Sequence, residues 1–148
     1  MITKDYILQE DLDCIIPELK KLKTLRNSSF FITGATGLVG LSLIRALLNY
    51  NDLDDANNKI IGLARNRQKT KDLYKELCNR KDLKIVYGDI LDGICITEDV
   101  DYIIHCASVT ASKMMIEKPV ETIATALQGT KNILDFAVQK KCKSFVYV

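Results

Sequence analysis

The stretch Phe30–Leu48, "FFITGATGLVGLSLIRALL", decides the fold. A short apolar run, rich in Phe and Ile, meets three glycines at Gly34, Gly37 and Gly40 and passes directly into a segment with apolar residues at helical spacing. In a strand-turn-helix unit each glycine has its own task. The first permits the tight turn out of the strand, the second lets the main chain come close to a ligand, and the third lets the helix pack close to the strand. The N–H groups at the start of the helix, with the positive end of its dipole, then face a phosphate. Taken alone the G-x-x-G-x-x-G spacing is a weak signal. Set between a strand and a helix, it points to the pyrophosphate of a dinucleotide.

Outward from this unit, strands alternate with helices, the pattern of parallel strands joined by crossover helices. Ser29–Thr33, Lys59–Ala64, Leu83–Tyr87, Asp101–Cys106 and Ser144–Val148 read as strands, each apolar at nearly every position, as strands buried on both faces are. Leu38–Tyr50, Gln68–Asn79 and Pro119–Lys140 read as helices. The expected fold is a doubly wound α/β (Rossmann) domain over residues 29–148, with five parallel strands in the order 3-2-1-4-5. Residues 1–28 stand apart as an N-terminal helical extension. There Leu12, Ile15, Ile16, Leu19, Leu22 and Leu25 fall on one helical face, Pro17 is expected to open a second helix, and the extension is expected to pack on the domain or on a partner subunit.

Composition limits the function classes. With 148 residues, 47% of them hydrophobic and 27% charged, the chain has enough apolar material for one core. No apolar run approaches the roughly 18 residues of a membrane span, and Asp5, Glu10, Asp11 and Asp13 are out of place in a signal peptide. A cytoplasmic protein with neither membrane nor nucleic-acid partner is expected. Five cysteines, odd in number and without a C-x-x-C pair, suggest no metal site and no disulfide framework, but reduced and mostly buried thiols.

The "TGATGLVG" motif resembles that of the extended short-chain dehydrogenase/reductases, the NAD-dependent epimerase/dehydratase family. Three further segments carry the resemblance in the right order. "YGDI" at 87–90 looks like the segment whose aspartate reaches adenine. "VDYIIHCAS" at 100–108 looks like the one that passes along the ribose and nicotinamide side. "PVETIATALQGTKNILDFA" at 119–137 resembles the helix carrying N-V-x-G-T. The resemblance implies a nicotinamide cofactor held by Gly34, Thr36, Gly37, Leu38, Val39, Arg65, Asp89, Ile90, Cys106, Ala107 and Ser108. It also implies a nucleotide-sugar substrate for the whole protein and transient hydride transfer from a sugar carbon. Epimerase, dehydratase, decarboxylase and reductase outcomes stay open. A homodimer is the assembly considered, with the fifth strand's open edge prone to self-association.

Ligands of an open parallel sheet bind beyond the carboxyl ends of its strands, so Gly34, Ala64, Arg65, Asp89, Cys106 and Ala107 should line one crevice. Asp54 and Asp55 lie about 20 residues beyond the glycines, where an acid would hold the ribose 2′-hydroxyl of NAD, yet they precede the second strand and so sit at its wrong end. At the useful end stand Ala64, Arg65, Asn66 and Arg67. Arg65 suits a 2′-phosphate, which favours NADP over NAD, while the basic run from 65 to 81 offers a plain alternative as a solvated helix.

The family's chemistry calls for a Y-x-x-x-K pair. Tyr6, Tyr50, Tyr74, Tyr87 and Tyr102 are followed at the fourth position by Glu10, Asp54, Cys78, Leu91 and Cys106, and Tyr147 has no fourth neighbour. No catalytic residue is therefore expected within these 148, and the chain reads as the N-terminal portion of such an enzyme. A non-catalytic NADP-binding sensor or scaffold is the alternative. His105 is expected to shape its loop rather than act as a base, and Cys106 to pack beside the cofactor. Ala126 stands where the family carries an asparagine that bends the helix and supports a proton relay.

Overall fold

The computed structural model describes residues 2–110 and 112–148. Five strands, β1 (Ser29–Thr33), β2 (Lys59–Ala64), β3 (Leu83–Tyr87), β4 (Tyr102–His105) and β5 (Ser144–Tyr147), form one parallel sheet in the order β3-β2-β1-β4-β5. The helices are α1 (Tyr6–Lys21), α2 (Leu38–Asp54), α3 (Arg67–Tyr74), α4 (Ser112–Glu117), α5 (Pro119–Ala124) and α6 (Thr130–Lys140). The expected architecture and strand order are those observed.

Alternation along the central strand divides the core in two. Phe30 and Ile32 of β1 face one side, packed with Ile44, Leu47 and Leu48 of α2 and with Tyr74 of α3. Phe31 faces the other, with Ile133, Phe136 and Ala137 of α6; its ring centroid lies 5.3 Å from that of Phe136. Every residue of β1 is buried, as a strand covered on both faces must be. The edge strands depart from the expectation of full burial. β3 and β5 are half-exposed because each has only one neighbour, and Val146, Tyr147 and Val148 stand open to solvent.

The extension docks on the domain rather than apart from it. Leu12 joins the α2 side of the core, and Ile16 packs with Tyr50 and Ala56. Asn49 of α2 donates to Asp13 (2.8 Å) and accepts from Gln9 (3.1 Å). Pro17 does not open a second helix but lies inside α1. The Leu12/Ile16 contacts on either side of one turn hold the helix together despite the hydrogen bond a proline cannot donate. Nor is the whole apolar stripe buried, since Ile15 and Leu22 remain exposed.

Three other expectations are corrected at this level. α3 stops at Tyr74, five residues short of Asn79, and the chain turns back through the Leu77 N–H to Tyr74 C=O bond. The helix over 119–140 is helical throughout but holds a π segment at Thr125–Gly129 between α5 and α6. The cysteines are all free, yet Cys14, Cys78 and Cys95 are exposed and Cys106 and Cys142 only partly covered, because they sit on solvent faces or strand ends rather than in the two cores.

Candidate functional site

The glycine loop is built by close main-chain approach. Gly34 follows β1 with φ +68°, and a Cβ there would fall 2.8 Å from both the carbonyl carbon and oxygen of Cys106. Glycine is thus required both for the turn and for the spacing between β1 and the end of β4. At Gly40 an added Cβ would overlap the Gly34 carbonyl, so this glycine lets α2 begin directly against the turn. The Gly37 N–H closes the turn on the Gly34 carbonyl at 2.8 Å.

Gly37 is also the N-cap of α2, and it offers no side-chain oxygen to the helix. The first-turn N–H groups of Leu38 and Val39 belong to those an α-helix leaves without an internal acceptor. They border a crevice of about 650 Å³ at the carboxyl ends of the strands. A Cβ at Gly37 would meet just the Gly34 oxygen, at 3.2 Å, and otherwise occupy crevice space. This bare cradle fits a dinucleotide's pyrophosphate. Tyr74, whose place in the site the sequence did not disclose, buttresses it from behind. Its buried hydroxyl donates to the Ala35 carbonyl at 2.6 Å, and burial pushes the phenol well above its usual range, so Tyr74 serves as a strut and not a base.

Of the expected site residues, Gly34, Thr36, Gly37, Leu38, Val39, Arg65, Ile90, Cys106, Ala107 and Ser108 all line this crevice. Asp89 does not join them. Its Oδ1 accepts from the Leu91 N–H at 3.0 Å and its Oδ2 pairs with Arg65 Nη1 at 3.3 Å, while Gly88 and Ile90 on either side face the cavity. Arg67, placed by the sequence at the same end, lies over the Tyr87 ring at 4.1 Å. Asn66 caps α3 by accepting from the Lys69 N–H at 2.9 Å. That cap brings Lys69 to the crevice wall, a second cation beside Arg65 that the basic run of the sequence concealed.

His105 is fully enclosed. Its Nδ1 lies 2.7 Å from Thr33 Oγ1 and its Nε2 3.3 Å from Thr130 Oγ1, and Thr33 Oγ1 also accepts from the Ala107 N–H at 3.1 Å. A neutral imidazole with its proton on Nε2 satisfies this chain of contacts, and burial lowers the histidine's pKa accordingly. The ring ties β1, β4 and α6 together beneath the crevice. Burial raises the pKa of the Cys106 thiol, which disfavours its thiolate.

The helix across the crevice is fixed at the π segment. A Cβ at Gly129 would overlap the Ile90 side chain, and Asn132 Nδ2 donates to the carbonyls of Ile90 (2.8 Å) and Leu91 (3.1 Å). The π segment forms with Ala126 in it, where the family carries an asparagine. Thr125, the first residue of that segment, lines the crevice wall, which helical periodicity alone does not disclose. No cluster of ligands suited to a metal ion occurs among the described residues.

The profile described as NAD dependent epimerase/dehydratase family matches residues 30–148. The chain belongs to this family. UDP-glucose 4-epimerase of Rickettsia prowazekii is 30% identical over 118 residues, covering 78% of this chain and 34% of that protein. A Methanocaldococcus jannaschii protein described as an uncharacterized membrane protein is 25% identical over 126 residues, covering 83% of this chain and 36% of the relative. The structure of DesIV, a dTDP-glucose 4,6-dehydratase from Streptomyces venezuelae with NAD and TYD bound, superposes with a TM-score of 0.60 at 25% identity, over 79% of this chain and 38% of that one. The chain therefore spans about a third of the length of the proteins it matches. As a family member it belongs to an NAD-dependent class, and no helix among its described residues is long and apolar enough to cross a membrane.

Proposed function

We propose that residues 29–148 are the dinucleotide-binding portion of a cytoplasmic nucleotide-sugar epimerase or dehydratase, with residues 1–28 as a helical brace. The observation that carries this reading is the uncapped start of α2 at Gly37, open to a cavity at the carboxyl ends of β1, β2, β3 and β4 of the parallel sheet. The N–H groups of Leu38 and Val39 hold the pyrophosphate, Ile90 and Gly88 border the adenine end, and Cys106, Ala107 and Ser108 flank the nicotinamide end. Asp89 acts on the adenine end through Arg65 and the Leu91 N–H. The bound nicotinamide supplies a reversible acceptor for hydride from a sugar carbon. This chain's residues bind and orient it, while the acid–base pair comes from outside these 148 residues, since no tyrosine here has a lysine four positions on. The free cysteines suit a reducing compartment.

NADP is the preferred dinucleotide in this reading. Arg65 and Lys69 both stand at the β2 end of the crevice, with no carboxylate among its lining residues. Two cations there favour a 2′-phosphate, whereas NAD recognition calls for an acid on the ribose. Titration of NADP⁺ and NAD⁺ into the protein and its Arg65→Asp variant by calorimetry tests the assignment. A charge-assisted contact predicts about 10- to 100-fold weaker NADP⁺ binding in the variant with NAD⁺ little changed. Equal effects on the two nucleotides would remove the 2′-phosphate assignment.

A further inference from the structure

The loop Gly34–Gly37 is a β-turn, closed by the Gly37 N–H on the Gly34 carbonyl with Ala35 and Thr36 at its centre. The middle peptide of a β-turn can face either way. Its two orientations, about 180° apart, are what separate type I from type II. The closing bond therefore does not decide which side of the loop the Ala35 carbonyl and the Thr36 N–H take. Two observations do. Thr36 has no positive φ, which the type II orientation would demand of a β-branched residue at this position. From α3, the Tyr74 hydroxyl donates to the Ala35 carbonyl at 2.6 Å. The first excludes a full flip, and the second fixes the tilt that remains.

In a planar trans peptide the N–H points opposite to the carbonyl of the residue before it. With the Ala35 carbonyl drawn down to Tyr74, the Thr36 N–H points away from α3, and Thr36 lines the crevice. The neighbouring amides are spent, the Ala35 N–H on the Leu63 carbonyl at 3.1 Å and the Gly37 N–H on the turn. The Thr36 N–H meets no acceptor among the described residues. It stands two residues before Leu38, whose N–H borders the same crevice.

We infer that Tyr74 is a positioning residue for nucleotide binding, its hydroxyl setting the 35–36 peptide so that the Thr36 N–H joins those of Leu38 and Val39 as a third main-chain donor to the pyrophosphate. This rests on the dinucleotide reading above and adds a residue from outside the crevice to it. The ring of Tyr74 packs in the same cluster as Phe30, Ile32 and Ile44, as a phenylalanine would. Its oxygen is the part that reaches the loop. Ala35 is fully buried, so removing that oxygen leaves its carbonyl without a donor and free to turn toward another.

Tyr74→Phe removes the one atom and keeps the ring. Calorimetric titration should show NADP⁺ and NAD⁺ both bound about 10-fold more weakly by this variant, in parallel, because the pyrophosphate is common to them. In ¹H–¹⁵N spectra the Thr36 amide of the wild type shifts on saturation with NADP⁺. In Tyr74→Phe that shift shrinks while those of Leu38 and Val39 persist. Leu77→Ala, in the same core cluster but with no hydrogen bond to offer, separates positioning from stability. It should lower the urea midpoint and leave both affinities within about twofold of wild type. Unchanged affinities in Tyr74→Phe, a loss confined to one nucleotide, or an equal loss in Leu77→Ala would overturn the inference. So would a Thr36 amide that stays still while Leu38 and Val39 respond, a result that leaves the dinucleotide reading standing. A wild type that binds neither nucleotide would remove that reading and this inference with it.

Discussion

Arg65 Nη1 lies 3.3 Å from Asp89 Oδ2, an ion pair that joins the end of β2 to the turn after β3 at the rim of the crevice. Asp89 is held in turn by the Leu91 N–H, so the arginine meets a carboxylate already fixed in place. The pair is exposed on the arginine side and contributes little to stability. Its consequence lies in charge, because a phosphate approaching Arg65 competes with Asp89.

Asp89→Asn is therefore expected to tighten NADP⁺ binding by up to about fivefold, the size of an exposed ion pair, and to leave NAD⁺ binding nearly unchanged. Calorimetric titration of both nucleotides checks it. Loss of both affinities in parallel would mean that Asp89 serves the adenine directly and not through Arg65.

Two glycines with positive φ separate packing from backbone strain. Gly93 has φ +82° with nothing within 4 Å of an added Cβ, while Gly34 has φ +68° and main-chain atoms of Cys106 at 2.8 Å. Gly93→Ala should cost about 1 kcal/mol, for the left-handed backbone alone. Gly34→Ala should cost about 2–4 kcal/mol, since it also forces β1 and β4 apart. Urea unfolding of the two variants measures the difference, and equal costs would refute the close approach.

His105 gives the fold a pH dependence above the carboxylate range. Burial lowers its folded pKa below the unfolded value of about 6.5, so the unfolded chain binds more protons between the two. The contribution is complete above about 6.5 and is lost as pH falls from there toward the folded value. As the single histidine in the sequence, it has no rival of its kind in this window. Urea unfolding at pH 7.5 and 5.5 should show wild type weakened at the lower pH and His105→Asn much less so. An identical loss in both proteins would reassign the effect.

Acid below this range acts at Asp101. Burial pushes its carboxyl up, but Lys143 and the hydroxyl and N–H of Ser29 outweigh that, and its pKa lies below the ordinary 3.8. The unfolded state then binds more protons than the folded one beneath that value, so this stabilisation is present above about 3.8 and falls away as pH drops through the folded pKa. Asp101→Asn should shallow the acid limb of a thermal-melt series between pH 5 and 2.5, and an unchanged limb would contradict the assignment.

The parallel sheet and its order were legible because the glycine spacing and four ordered segments constrain topology, and strands covered on both faces write themselves as unbroken apolar runs such as Phe30–Ile32. The glycine loop and the β4 end of the crevice were legible for the same reason, since main-chain geometry needs particular residues. Side-chain partners were not. Nothing in the spacing of Asp89 says that it meets Arg65, and Lys69 reaches the crevice only because Asn66 caps α3. Pro17 misled, for tertiary contacts at Leu12 and Ile16 override the local preference of a proline for a helix start. The π segment was hidden because one extra residue in a turn leaves the apolar period nearly intact.

The central claim is that the start of α2 receives the diphosphate of a nicotinamide dinucleotide. Its most direct measurement is a two-dimensional ¹H–¹⁵N spectrum of the labelled chain titrated with NADP⁺. Saturable shifts of the Gly37, Leu38 and Val39 amides, larger than those on α1 and abolished by Gly37→Val in a natively folded variant, are the predicted result. Saturable binding that leaves these three amides unmoved would contradict it.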